Sequence, residues 1–210
     1  MIPVESLFTF LFASVLLALA PGPDNIFVLT QAALYGRNEG VLVTLGLCTG
    51  LVVHTVAVAL GVAAIFQASA IAFTGLKVIG AVYLLYLAWQ AFTASASFLE
   101  NGKSNKLSGL QLYRRGIIMN VTNPKVSIFF LAFLPQFAIP ENGPVSQQMF
   151  ILGALFILVT LVVFGGIALL AGTLGTYLMR SPRIQNYLNR IAGIVFIGLA
   201  MKIFTANKGV

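Results

Sequence analysis

Charge is scarce in this chain. Its 210 residues include 5 acidic and 12 basic side chains, so charged residues make up 8% of the sequence and hydrophobic ones 59%. A soluble domain carries about a quarter charged residues; with so few, the chain cannot clothe a water-facing surface, and its apolar side chains must meet lipid. Cysteine and histidine occur once each, as Cys48 and His54. One thiol excludes an intramolecular disulfide and any redox relay that needs a thiol pair in one chain. On a helix these two residues point about 120 degrees apart, poorly placed to share a metal, so no metal or cofactor is expected. A membrane enzyme needs a nucleophile, base or metal set gathered at one depth. Asp24, Cys48 and His54 are too few for that.

What the chain does have is long apolar runs, at residues 7–35, 41–76, 78–99, 116–139, 149–179 and 191–204. A helix crosses the hydrocarbon core in about 20 residues. The runs therefore predict an all-α integral membrane protein of six transmembrane helices, the second ending near Gln67-Ala68-Ser69. Residues 7–20 have the apolar character of a secretory leader, but Glu5 replaces the basic start and Pro21 would follow the cut, so they count as the first half of span one. Arg37, Lys103, Lys106, Arg114, Arg115, Arg180, Arg183 and Arg190 flank loops on one side, against Lys77, Lys202 and Lys208 on the other. Short cytoplasmic loops carry the positive excess, which predicts a bacterial-type inner-membrane protein with both termini outside. The net charge of +7 has the same origin; it signals topology and contact with anionic lipid, not nucleic acid.

Two helix-breaking clusters interrupt the apolar runs: Pro21-Gly22-Pro23-Asp24-Asn25 and Thr122-Asn123-Pro124-Lys125. Proline removes a backbone donor and clashes with the preceding turn, so spans one and four should be broken helices. Sliding the sequence by 112 places Leu76, Ile79, Leu87, Ala88 and Phe92 on Leu188, Ile191, Leu199, Ala200 and Phe204. Sliding it by 102 places Ile26 to Leu29 on Ile128 to Leu131 and brings the two breaks together. This predicts two three-helix repeats, residues 1–98 and 114–210, joined by a cytoplasmic linker at 99–113. An odd number of spans per repeat inverts the second, and inverted repeats place a binding site at their interface.

The runs Ala20-Pro21-Gly22-Pro23-Asp24-Asn25, Gly46 to His54, Asn120-Val121-Thr122-Asn123-Pro124-Lys125-Val126 and Leu134-Pro135-Gln136-Phe137 resemble the lysine-exporter superfamily, in its homoserine/threonine-resistance (LysE/RhtB) branch. The likeness covers essentially the whole chain. It implies an inner-membrane exporter of amino acids or close relatives that uses the proton gradient, with the individual substrate open.

A zwitterion in a low-dielectric site needs an acceptor for its ammonium and donors for its carboxylate. Asp24 is the candidate for the ammonium, aided by backbone carbonyls freed at the prolines Pro23 and Pro124. The carboxylate has candidate donors at the half-helix start near Asn25 to Phe27, or at Val126 to Ile128 with Lys125. Asn25 and Asn123 add amides near both breaks. Alternatively, Asp24 and Lys125 simply neutralise one another as a structural pair.

His54 shares a stripe with Gly46 and Gly50, a spacing that marks a helix-contact face. It is either a proton relay alongside Asp24 or a neutral bridge between helices, with Thr49 and Thr55 as candidate partners. Gln31 and Gln90 are candidates to line a path. Tyr83, Tyr86 and Trp89 form a stripe better suited to packing or interfacial anchoring than to a substrate cage. Gly165, Gly166, Gly172 and Gly175 suggest close helix approach and, with the resemblance, a homodimer. The function expected is therefore a proton-coupled exporter of small neutral amino acids working by alternating access; the alternatives are a divalent-cation exporter and a passive small-solute channel.

Overall fold

In a computed structural model, which describes residues 2–20, 22–68, 70–93, 106–171 and 181–205, every regular element is helical. Helix α1 (Val4–Leu19) stops where its carbonyls run out of donors: the groups four residues beyond Leu17 and Leu19 are Pro21 and Pro23, which have no N–H. Pro21 itself lies outside the described residues. Helix α2 (Pro23–Tyr35) opens on a proline, at the one helical position where the missing donor is not needed. It ends at Gly36, whose φ of 114° is a conformation that favours glycine. Helices α3 (Arg37–Ala68) and α4 (Ala70–Thr93) follow.

Helix α5 (Gly109–Val121) is opened by a capping box, in which the Gln111 N–H donates to Ser108 Oγ and the Ser108 N–H to Gln111 Oε1. The end of the stretch expected as linker, 99–113, is therefore helical; residues 99–105 lie outside the described residues. Helix α6 (Pro124–Ala132) repeats the device of α2, with proline first and Asn123 as its N-cap. Two short 3-10 turns (Leu134–Phe137 and Pro140–Asn142), α7 (Val145–Leu170) and α8 (Pro182–Thr205) complete the chain.

Both expected breaks are present. The α1–α2 axis bends by 60° and the pair at Asn123 by 51°. Residues 37–61 of α3 and all of α7 are long and apolar enough to cross a membrane, and each bent pair also qualifies if taken as one span. Within α4, Val78–Thr93 is a shorter apolar helix.

Helix α3 is the central element, packed along α5 and α7, while α4 packs along α8. Glycines set these contacts and reveal their directions. A Cβ at Gly40 would lie 2.9 Å from that of Ala168, and one at Gly153 would overlap Thr55, so α3 and α7 run antiparallel. A Cβ at Gly46 would strike the Tyr113 carbonyl and one at Gly50 would lie 2.7 Å from Asn120, so α3 and α5 run parallel. The expected Gly46–Gly50 stripe is thus a contact face. Gly165 and Gly166 make no such approach within the chain: among the described residues nothing lies within 4 Å of a Cβ at either. The close approach on α7 is made at Gly153 instead, and Gly172 and Gly175 lie outside the described residues.

Buried apolar side chains form two clusters. One gathers Phe10, Leu17, Leu51, Val58, Phe129, Phe130, Phe133, Phe137, Met149 and Phe156; the other gathers Val28, Val43, Leu47, Leu112, Phe164 and Ala168. Both helix breaks fall between the two clusters, which leaves a thin polar layer inside an otherwise apolar molecule.

Candidate functional site

Asp24 and Lys125 hold equivalent positions, each directly after the proline that opens its half-helix. The breaks therefore align Pro23 with Pro124, one residue off the register of 102 expected from the flanking apolar residues. Asp24, Asn25, Asn120 and Asn123 are 4%, 0%, 2% and 5% exposed. Asn123 ties the breaks together: its Oδ1 accepts from the Lys125 N–H at 3.0 Å, and its Nδ2 donates to Asp24 Oδ2 at 3.0 Å. Asn25 Nδ2 donates to the Ala18 carbonyl at 2.6 Å, supplying a donor to the frayed end of α1.

Lys125 does not take the partner expected of it. Its Nζ donates to the carbonyls of Ala20 at 3.1 Å and Leu17 at 3.4 Å. Among the described residues Lys106 pairs with Glu39 at 3.1 Å, but Asp24 and Lys125 form no ion pair. The reason lies in α1. Its last carbonyls carry the negative end of the helix dipole, and that of Leu17 faces a proline where its donor should be, so they compete for the cation.

Asp24, Asn120 and Lys125 line a cavity that leaves about 20 Å³ for the centre of a water molecule, walled by Leu51, Val126, Phe156, Thr160 and Phe164. That is room for one water, between walls that are mostly apolar. Asn25, Asn123, Pro23 and Pro124 do not line the cavity; they fix the backbone around it. Asp24 Oδ1 and Asn120 Oδ1 are buried with no hydrogen-bond partner, as are Asn25 Oδ1 and Gln31 Oε1. A buried acceptor without a donor is costly, and two on one cavity suit a cationic donor. Several of the N–H groups expected as donors for an anion are already taken. The N–H groups of Lys125, Val126 and Ser127 all donate to Asn123, and that of Ile26 to Gly22. Asn123 is too good an N-cap to leave the α6 terminus open.

His54 lies beside the site, partly buried, with Nε2 3.1 Å from the Asn120 carbonyl oxygen and its ring 5.6 Å from that of Phe130. Thr49 and Thr55 are not its partners: both donate to their own helix, and Thr49 also meets the Tyr113 hydroxyl. Tyr86 and Trp89 are 46% and 62% exposed, so their stripe faces outward, and Gln90, bonded to the Tyr86 hydroxyl, goes with it. Asn120 is the site residue that sequence reasoning passed over. It stands three residues before Asn123 in the second break motif, and that spacing was the available signal.

The sequence matches the LysE type translocator family over residues 15–207. It is 35% identical over 190 residues to a homoserine/homoserine lactone efflux protein of Salmonella typhimurium, covering 90% of this chain and 91% of that protein. An uncharacterized membrane protein of Vibrio cholerae is 35% identical over 198 residues, with 94% and 96% covered. A further membrane protein, from Bacillus subtilis, is 29% identical over 208 residues, with 95% and 98% covered. No solved structure matches the chain.

Proposed function

The chain belongs to the LysE type translocator family, and from that membership we propose that it is a secondary exporter of small neutral amino acids, of the homoserine, threonine or leucine kind, driven by proton antiport. The observation that carries this reading is the small cavity beside the two helix breaks, lined by Asp24, Asn120 and Lys125, with Asp24 Oδ1 and Asn120 Oδ1 buried and unpartnered. Asp24 Oδ1 and Asn120 Oδ1 receive the substrate ammonium. Its carboxylate goes to Lys125, the one cation on the cavity wall. Leu51, Val126, Phe156 and Phe164 then surround the side chain, which favours neutral substrates, since a further charge there would be desolvated without a partner.

Antiport follows from using one carboxylate twice. Ionised Asp24 holds an ammonium and protonated Asp24 does not, so bound substrate and bound proton exclude one another at the same atom, and substrate release goes with proton uptake. His54, whose Nε2 meets the Asn120 backbone carbonyl beside the site, serves as the relay. The moving parts are the inverted halves 1–98 and 114–210, each closing one side of the cavity in turn, in an inner membrane with both termini outside. The antiparallel α3 and α7, second in their respective halves, support this arrangement.

Vesicles holding the purified protein and loaded in turn with a panel of radiolabelled amino acids test the reading. Saturable efflux that accelerates with an opposing proton gradient is expected. Efflux linear in concentration and indifferent to the gradient would identify a channel instead. In the same vesicles Asp24→Asn should abolish gradient-driven export while the protein still inserts, and wild-type rates from that variant would remove Asp24 from the mechanism.

A further inference from the structure

The position of Lys125 has a use beyond binding substrate. Its Nζ sits where a substrate ammonium would be drawn, at the C-terminal carbonyls of α1, with Gly22 leaving room for it: a Cβ there would lie 3.2 Å from Nζ. We propose that Lys125 is a tethered stand-in for the substrate ammonium, seated on the Leu17 and Ala20 carbonyls so that the empty carrier can close and return. This rests on the export reading.

Net export needs a return step with no substrate aboard. In that step the Leu17 carbonyl, whose donor position four residues on is Pro21, and the Ala20 carbonyl at the end of α1 need another donor in a setting where water is excluded. An occluded empty site would bury those acceptors bare. A lysine amine on a flexible stem satisfies them from inside the protein. When substrate enters, its ammonium is drawn to the same carbonyls and to Asp24, and displaced Nζ meets the carboxylate that arrived with it. The site then gains one positive and one negative group together, so its net charge is unchanged. Lys125 thus moves between two partners, the α1 carbonyls in the empty carrier and the carboxylate in the loaded one.

Exchange and net efflux separate this role from mere carboxylate binding. In exchange, labelled substrate leaves against unlabelled substrate and the carrier never returns empty. A residue that only binds the carboxylate slows both modes by one factor, whereas a stand-in is needed chiefly for net efflux. We expect Lys125→Met to lower the ratio of net efflux to exchange at least tenfold, and Lys125→Arg, which keeps a cation, to restore most of it. Gly22→Ala is the second test: the φ of −171° at Gly22 suits alanine, but the new methyl crowds Nζ at its seat without touching the lysine chemically. It should lower the same ratio severalfold and decides the matter if Lys125→Met does not fold. A ratio unchanged from wild type in the folded variants would overturn the proposal, whether or not both rates fall together. A wild-type protein that shows neither mode for any amino acid overturns the export reading itself, and does so before any variant is compared.

Discussion

One amide at position 123 serves both helix breaks, and its two ends can be separated by substitution. The oxygen caps α6 and the nitrogen holds the Asp24 carboxylate. Asn123→Ala removes both bonds and should cost about 1.5–5 kcal/mol of stability, the sum expected for a lost N-cap and an unpartnered buried acceptor. Asn123→Asp keeps a capping oxygen but buries a second carboxylate against Asp24, so it should melt below the alanine variant, and export falls further than a lost cap explains. Thermal unfolding in detergent, read beside vesicle efflux, checks the pair. Equal melting and equal transport in the two variants would show that the Asp24 contact is idle. The case also marks what the sequence could disclose. That Asn123 brings an amide to a helix break was legible; that this amide reaches a residue ninety-nine positions away was not, because that bond exists only once the breaks have met.

At the scale of the helix, proline was the more legible punctuation and glycine the less. A proline acts on its own helix, removing a donor wherever the fold places it, so both breaks and the half-helix starts at Pro23 and Pro124 could be read from sequence. A glycine acts on its neighbour, and sequence does not say whether one is present. Gly46 and Gly50 do face α5, while Gly165 and Gly166 face open space. Gly46→Leu should therefore force α3 off α5 and destabilise by about 1–3 kcal/mol, the usual cost of overpacking a tight contact. Gly165→Ala has no clash to relieve and trades a flexible residue for a helix former, worth up to about 1 kcal/mol in the stabilising direction. Melting temperatures that move alike for the two would mean that the α3–α5 contact is looser than the backbone distances require.

For the whole molecule, helix directions separate two ends, and charge predicts which of them is cytoplasmic. The Lys106–Glu39 pair, 3.1 Å long, fixes the start of α3 and the approach to α5 at one end. Since α7 runs against α3, the turn at Glu141 that leads into α7 lies at the other end. The basic residues Arg37, Lys106, Arg114 and Arg115 gather at the first end, and positive charge is retained on the cytoplasmic side. With Cys48 replaced by alanine to clear the background thiol, Lys106→Cys and Glu141→Cys should label from opposite sides. An impermeant maleimide added to intact cells should reach Glu141→Cys at once and Lys106→Cys only after permeabilisation. Labelling of both from one side would break the alternation of spans that an inverted repeat requires. Labelling from opposite sides in the reversed sense would keep the repeat and overturn only the orientation.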